Sequence, residues 1–240
     1  MSQEPKTLTA ETSTTTPARN LNLRSLATSL RRYYVWAQVI MVFVFLEFAL
    51  WSPTKHFRNR WATIAALTLL VVVLLDLLSD RSSLERLGLG LPKPSGAVIT
   101  LGAGLITAVF LLLLVNWAGG QIPANPTWFP NLQSARGYLV WALIQEFILQ
   151  SFFFTRFEEL YGSSAAVWMA ATLFAVAHLP NPVLTTATLL GALFFCEMFR
   201  RYRSIYPLAI VHAILGITIA FVAPDRLLHH MRVGIGYLRY

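Results

Sequence analysis

The stretch IQEFILQSFFF, residues 144–154, places a glutamate inside an otherwise almost purely apolar run. A charged side chain at the centre of a membrane helix costs about 2.5–3.5 kcal/mol on insertion scales, so an ionisable residue there is a functional candidate. Glu146 lies about halfway along the predicted span 136–155 that contains this stretch. At helical spacing Gln150 points from the same face, with Gln145 next to the glutamate in sequence. The stretch therefore predicts a membrane helix with one polar stripe.

The rest of the chain has the composition of a polytopic membrane protein. Of its 240 residues, 56% are hydrophobic and only 12% are charged, whereas soluble domains carry roughly a quarter charged residues. About 20 apolar residues in helical form cross the hydrocarbon core of a bilayer. The sequence predicts an all-α transmembrane helical bundle of about seven spans, the fifth and sixth of them short: 33–52, 61–79, 95–118, 136–155, 163–178, 183–199 and 205–223.

The polar flanks complete the predicted organisation. Residues 1–32 form a disordered and basic N-terminal segment, 33–225 the transmembrane helical domain, and 226–240 a basic tail or interfacial helix. Lys and Arg occur in short clusters between the apolar runs, where they act as topology signals. We therefore interpret the net charge of +8 as a feature of a protein in a lipid bilayer, and we predict that the protein binds no nucleic acid. The distribution of Lys and Arg favours a cytoplasmic N-terminus in a multi-pass protein of the cell (inner) membrane. The single cysteine, Cys196, rules out an intrachain disulfide.

Two histidines share the membrane with Glu146. In TLFAVAHLPNP, Phe174 precedes His178 by one turn, so its ring can pack on the imidazole, and Asn181 follows close by. His212 lies near the middle of the last span, and Gly216 one turn later leaves room for another helix or a substrate backbone. The other intramembrane acids have plainer interpretations: Glu47 and Asp76 lie near span ends, and Glu197 precedes the basic group RRYR.

One carboxylate and two imidazoles, on the fourth, fifth and seventh predicted spans, suggest a metal site or a site that activates water. The local spacing HExxH, typical of zinc sites, is absent from the sequence, and we predict no metal and no cofactor. A carboxylate could instead act as general base on a water while imidazoles orient it and stabilise an oxyanion. Alternatively, the polar side chains could simply hydrogen-bond neighbouring helices.

Over residues 136–220 these motifs resemble the CPBP group of intramembrane glutamic endopeptidases, which includes the CAAX prenyl proteases and bacteriocin-processing or self-immunity proteins. The family pattern is EExxxR, then FxxxH, then a His followed one turn later by Asn. Here QEFILQ supplies Gln145 and Glu146 for the two glutamates and Gln150 for the arginine. FAVAH matches the second motif in full, and HAILG supplies His212, with Gly216 where Asn is expected.

The resemblance implies a base at the first glutamate, an assisting first histidine, and an oxyanion pocket made by the third-motif His and Asn. Since Gln145 cannot take up a proton usefully, either Glu146 has become the base or the site binds without cleaving. One carboxylate and the arginine are missing together, which leaves the local formal charge at −1.

The sequence thus predicts an intramembrane endopeptidase that cleaves a protein or lipidated peptide. Its predicted catalytic residues are Glu146, His178 and His212, supported by Gln145, Gln150, Phe174, Asn181 and Gly216. The alternative is an inactive relative that binds a peptide, lipid or isoprenoid, or scaffolds a partner. A transporter is less consistent with the sequence because inverted repeats are missing. The substrate and the oligomeric state stay open.

Overall fold

The computed structural model describes residues 17–78, 83–120 and 132–239, and their regular structure is helical. The helices are α1 (Pro17–Trp51), α2 (Lys55–Leu78), α3 (Pro94–Trp117), α4 (Leu132–Glu146), a π-helix (Phe147–Phe154), α5 (Thr155–Tyr161), α6 (Ser163–Val176), α7 (Pro182–Tyr202), α8 (Tyr206–Val222), α9 (Asp225–Leu228), a 3-10 turn (His229–Met231) and α10 (Ile235–Leu238). The predicted all-α polytopic class is confirmed.

The long apolar runs of the sequence form the long helices of the structure. Within the described residues, five stretches are long and apolar enough to cross a membrane: 28–51, 55–78, 94–117, 135–161 and 182–202. The apolar helices α6 and α8 are shorter, at 14 and 17 residues. These seven correspond in order to the seven predicted spans. The prediction that the sixth span is short was wrong, because α7 continues through polar residues to 21 residues, and the second short helix is instead the seventh, α8. Residues 1–16 of the predicted N-terminal segment lie outside the described residues, and α1 begins at Pro17, well before the predicted span start at residue 33.

The described residues divide into two compact units, one that ends at Ala37 and one that begins at Gln38. In the first unit, the Arg31 guanidinium lies over the ring of Tyr34, 5.6 Å from its centroid. The predicted site residues Glu146, His178 and His212 all lie in the second unit.

The fourth apolar run changes helix type directly after Glu146. The segment Phe147–Phe154 is a π-helix, and six of its eight residues are buried. π-Helical segments are rare, usually a single turn, and frequent at functional sites. Here the π-helix connects α4 to α5, so the wider turn begins at the residue after the glutamate.

The connections between helices gather at two ends of the second unit. At the first, which we call the Arg203 end, Ile205 N–H donates to Gly88 O (3.1 Å) and Tyr206 Oη donates to Leu89 O (3.1 Å). Arg203 pairs there with Glu158 of α5.

The opposite end, which we call the Asn181 end, holds the α1–α2 connection, the loop after α6 and the C-terminal segment 225–239. Gly234 N–H donates to Leu179 O (2.8 Å), and Arg239 donates to the carbonyl oxygen of Pro53. Helices α2, α6, α7 and α8 therefore each run from one end to the other.

Candidate active site

The centre of the site is a buried pair formed by Glu146 and His212. Glu146 is 0% exposed and His212 is 8% exposed. Glu146 Oε1 lies 2.8 Å from His212 Nδ1, a hydrogen bond that joins the last residue of α4 to α8. Burying a carboxylate is costly unless it is hydrogen-bonded, and this contact supplies one partner.

Gln150 supplies the second partner. Its Nε2 donates to Glu146 Oε2 over 3.2 Å, so both carboxylate oxygens are hydrogen-bonded. Gln150 is itself 0% exposed, its Oε1 accepts no hydrogen bond from the described part of the chain, and the buried Cys196 thiol lies next to it. The polar stripe predicted from the sequence therefore exists at Glu146 and Gln150. Gln145 is partly exposed, and no contact joins its side chain to the pair.

His178 lies beside this pair but does not hydrogen-bond to it. Its Nδ1 is 2.7 Å from the carbonyl oxygen of Phe174. Because a carbonyl only accepts, Nδ1 carries the hydrogen, and Nε2 of the neutral ring is an acceptor. The residue is partly exposed at the end of α6, unlike Glu146.

Aromatic rings fix both imidazoles. The Phe174 ring lies 4.8 Å from the His178 ring, as the one-turn spacing predicts, and 6.1 Å from the His212 ring at 89°. Phe195 of α7 stacks on His212 at 5.5 Å with an interplanar angle of 14°. Phe174 thus bridges the two histidines, and its neighbours restrict the rotation of the His212 ring.

The space at Gly216 is occupied by another helix. A Cβ atom built on Gly216 would collide with Oη, Cε1 and Cζ of Tyr138, which comes from α4. The glycine is buried, and Tyr138 is partly exposed. Glycine is therefore what allows the phenol to lie directly against α8, one turn beyond His212.

Asn181 hydrogen-bonds to backbone atoms near the site and not to the Glu146–His212 pair. It is 0% exposed, and its Oδ1 accepts from Leu184 N–H over 3.0 Å as the N-cap of α7. Its Nδ2 donates to Leu228 O (2.8 Å) and Arg232 O (3.0 Å) of the C-terminal segment. The side chain is directed at backbone atoms, and we interpret it as a positioning residue.

The other acidic residues pair outside the site. Glu197 pairs with Arg200 (2.7 Å) and Arg201 (2.6 Å), as the sequence indicated. Glu47 accepts from the Trp51 indole over 3.0 Å. Asp76 does not reach water at a span end: it is buried and pairs with Arg156.

The structure therefore brings together most of the predicted site residues. Glu146 contacts both Gln150 and His212, while Phe174 connects His178 to His212. Sequence reasoning missed Tyr138 and Phe195, because an aromatic residue in an apolar span carries no distinguishing signal. Within the described residues, no group of three His, Cys, Asp or Glu side chains is placed to hold a metal ion.

A comparison with known families gives a match over part of the chain. Residues 127–218 match one family model, which is described as type II CAAX prenyl endopeptidase Rce1-like. This range contains Glu146, His178 and His212, and it overlaps the range 136–220 over which the motifs resemble the CPBP proteases. No curated protein and no solved structure shows significant similarity to the chain.

The fold and the match together define the class. The chain is an integral membrane protein, because its described residues include five helices long and apolar enough to cross a membrane and because residues 127–218 match a membrane protease family model. This match supports the resemblance to the CAAX proteases that the motifs predicted.

Proposed function

We propose that this protein is an intramembrane endopeptidase that hydrolyses a peptide bond at the Glu146–His212 pair. The observation that carries the proposal is the 2.8 Å hydrogen bond between the two side chains, within the region that matches a protease family. A carboxylate that binds one imidazole nitrogen fixes the tautomer of the ring and stabilises the imidazolium that forms when the other nitrogen takes up a proton.

In the proposed reaction, Nε2 of His212 is the proton acceptor. A water oxygen bonds to the carbonyl carbon of the substrate while one water proton passes to Nε2. The tetrahedral intermediate then collapses, the C–N bond breaks, and the same proton passes to the leaving amine, which leaves a carboxylic acid and an amine as products. Glu146 stabilises the charged ring throughout, whereas the sequence alone suggested that Glu146 itself was the base.

We assign to His178 the orientation of the water. With Nδ1 bound to the Phe174 carbonyl oxygen, its Nε2 can accept a hydrogen bond from the second water proton. His178 is more exposed than the buried pair and lies at the Asn181 end. The scissile bond would therefore enter from that end of the bundle.

The proposed substrate is a lipidated peptide or a protein held at the membrane. The family description names a prenyl endopeptidase, which makes a prenylated peptide the first substrate to test. An isoprenoid group would partition into the hydrocarbon core and concentrate the peptide at the bilayer surface.

The decisive experiment uses the full chain purified and reconstituted in lipid vesicles, with prenylated and unmodified membrane-proximal peptides. We expect cleavage by the wild type, with and without chelator. Glu146→Gln should lower kcat by about 10⁴-fold, as when the carboxylate of an Asp–His pair becomes an amide. His212→Ala should abolish turnover, and His178→Ala should cost about 10²-fold or more.

The matched control is His56→Ala, because His56 is an exposed histidine at the start of α2. It should cleave like the wild type. Full activity in Glu146→Gln or His212→Ala would overturn the proposed mechanism, and absence of cleavage by folded wild type across the peptide set would count against an endopeptidase.

A second candidate function is peptide or lipid binding without cleavage. The complete burial of Glu146, with both oxygens hydrogen-bonded, and the presence of Gln145 favour it. In that case, vesicles containing the protein would retain a prenylated peptide without cleaving it, and Glu146→Gln would change the affinity only.

A further inference from the structure

The proposed reaction places a positive charge on a ring that water reaches poorly. His212 is 8% exposed, and it becomes an imidazolium when its Nε2 takes up the water proton. A charge formed in a buried site is costly unless protein groups replace the water around it. Glu146 supplies one such group through the hydrogen bond to Nδ1, which engages the edge of the ring. The faces of the imidazolium need a partner of a different kind.

Phe195 of α7 covers one face of this imidazole. The centroids of the two rings are 5.5 Å apart and their planes differ by 14°, so the rings are stacked. Phe174, by contrast, meets the His212 ring at 89° over 6.1 Å. Phe195 is 4% exposed, and its ring also packs on that of Phe194 at a centroid distance of 5.7 Å. The buried phenyl ring therefore excludes water from the face of His212 that it covers.

We propose that Phe195 stabilises the imidazolium form of His212 through a cation–π contact and is thereby a positioning residue for the hydrolysis. This inference rests on the proposed endopeptidase function, with His212 as its base. The face of a phenyl ring carries negative charge density and attracts a cation within about 6 Å of the ring centroid. The stack of Phe195 on His212 meets this distance. Because the attraction grows as His212 takes up the proton, it favours the transition state over the resting site.

The competing explanation is that Phe195 only packs against His212. Two neutral aromatic rings also attract each other when they stack. Such packing would act equally in both protonation states of His212, so its loss would change the stability of the protein and leave the rate of the chemical step. Fluorine atoms on the phenyl ring distinguish the two roles, because they withdraw charge from the ring face while nearly preserving the shape of the ring.

The test replaces Phe195 in the full chain with mono-, di- and trifluorinated phenylalanine. Steady-state kinetics are then measured in lipid vesicles with a cleaved prenylated peptide. We expect kcat to fall with each added fluorine and to reach a loss of about 10- to 30-fold for the trifluorinated ring, the rate equivalent of losing a desolvated cation–π contact. KM and the thermal unfolding midpoint should stay unchanged, since the substituted ring is buried and keeps its packing.

The matched control is the same fluorinated series at Phe153, which is 3% exposed. Within the described residues its ring contacts are with Phe43 and Phe152, so fluorination there should leave kcat unchanged. Phe195→Leu is the second variant, because it removes the ring altogether. Its kcat should fall at least as far as that of the trifluorinated protein, and its unfolding midpoint should also fall because leucine leaves a cavity.

The outcomes separate this inference from the proposed function. If the wild type cleaves and the trifluorinated ring at Phe195 keeps kcat within about threefold, the cation–π role is overturned while the endopeptidase stands. A loss confined to Phe195→Leu would assign the ring to packing, and an equal loss in the Phe153 series would be a general effect of fluorination, so either result also overturns the role. If the folded wild type neither cleaves nor binds a peptidyl phosphonate, a mimic of the tetrahedral intermediate, both proposals fall.

Discussion

Both polar atoms of the Asn181 side chain bond to the backbone of two segments, α7 and the C-terminal segment. This residue caps α7 and holds two carbonyl oxygens of the C-terminal segment, three residues after His178. Asn181→Ala should lower the free energy of unfolding by about 1–3 kcal/mol, since a lost N-cap costs about 1 kcal/mol and the two carbonyl oxygens lose their donor. Thermal unfolding in detergent micelles would measure it.

The same substitution should also loosen the C-terminal segment. Limited proteolysis should cut Asn181→Ala within residues 225–239 faster than the wild type. Thr186→Ala is the control, because its exposed hydroxyl bonds only within α7, to Pro182 O. Equal cleavage rates for all three proteins would show that Asn181 does not hold this segment.

How far the site could be predicted depends on the residue type. Glu146 and His212 stand out because an ionisable group in an apolar run is costly, and the structure places them 2.8 Å apart. Asn181 stands out in the sequence as a polar residue, but its partners Leu228 O and Arg232 O lie 47 and 51 residues further along the chain. Sequence spacing does not predict contacts of that kind. Tyr138 gives no signal at all, since its contact with Gly216 depends on how α4 packs on α8.

At the scale of elements, α3 packs through a stripe of small residues. Gly96, Thr100, Gly104 and Ala108 recur every four residues and are its buried residues. A Cβ on Gly104 would collide with the side chain of Val211, the neighbour of His212 on α8. Small residues let membrane helices approach closely, where van der Waals packing replaces the hydrophobic effect.

We therefore expect Gly104→Leu to separate α3 from α8. It should destabilise the protein by about 1–3 kcal/mol or more, as overpacking does, and reduce any activity that depends on His212. Gly102→Leu is the matched control, because no atom of the described residues lies within 4 Å of a Cβ at Gly102. Unfolding in detergent should distinguish the two variants, and equal stabilities would contradict close α3–α8 packing.

A buried ionic contact joins α1, α2 and α5. Arg156 pairs with Asp76 and donates through Nε to Gln38 Oε1 over 2.8 Å, while its guanidinium lies 5.2 Å from the centroid of the Phe152 ring. This contact anchors the helix that follows the π-helix. Removing one member of a buried pair leaves an uncompensated charge, at a cost of about 3–5 kcal/mol.

Arg156→Met should thus destabilise the protein strongly, whereas the double variant with Asp76→Leu should recover most of the loss. Glu197→Gln breaks a partly exposed pair with Arg200 and should leave the free energy of unfolding almost unchanged, because solvent screens such pairs. Denaturant titration of the four proteins would test this, and a double variant as unstable as Arg156→Met would contradict it.

Element bounds show where sequence reasoning is strong. The ends of α2, α3 and α7 lie within a few residues of their predicted positions, except at the start of α2, where the polar residues from Lys55 onward extend the helix. The length of an apolar run determines whether a helix can cross the membrane. Polar residues next to the run can continue the same helix beyond the membrane-spanning part. The π-helix was not predictable, because no composition distinguishes it from an α-helix.

At the scale of the whole molecule, the two short helices decide the topology. At 1.5 Å per residue, α6 and α8 are about 21 and 26 Å long, less than the roughly 30 Å hydrocarbon core. Both nevertheless join the Arg203 end to the Asn181 end, as the 21-residue α7 does. We infer that both cross the membrane and that the bilayer is thinned or their ends are shielded there.

Seven crossings predict which positions share a side of the membrane. Lys55 and Arg226 lie at the Asn181 end and Lys93 begins α3 near the Arg203 end, and all three are exposed. Cysteines introduced singly at 55 and 226 should react with a membrane-impermeant maleimide from one side, and a cysteine at 93 only from the other. The native thiol gives little background, since Cys196 is the single cysteine and is buried.

Labelling of intact and permeabilised cells would also test the orientation. A cytoplasmic N-terminus predicts that positions 55 and 226 react in intact cells, whereas position 93 reacts only after permeabilisation. The reverse pattern would keep seven crossings and invert the protein. If positions 55 and 226 reacted from opposite sides, one of the short helices would not cross, and the Glu146–His212 pair would have to be formed between a spanning helix and a re-entrant one.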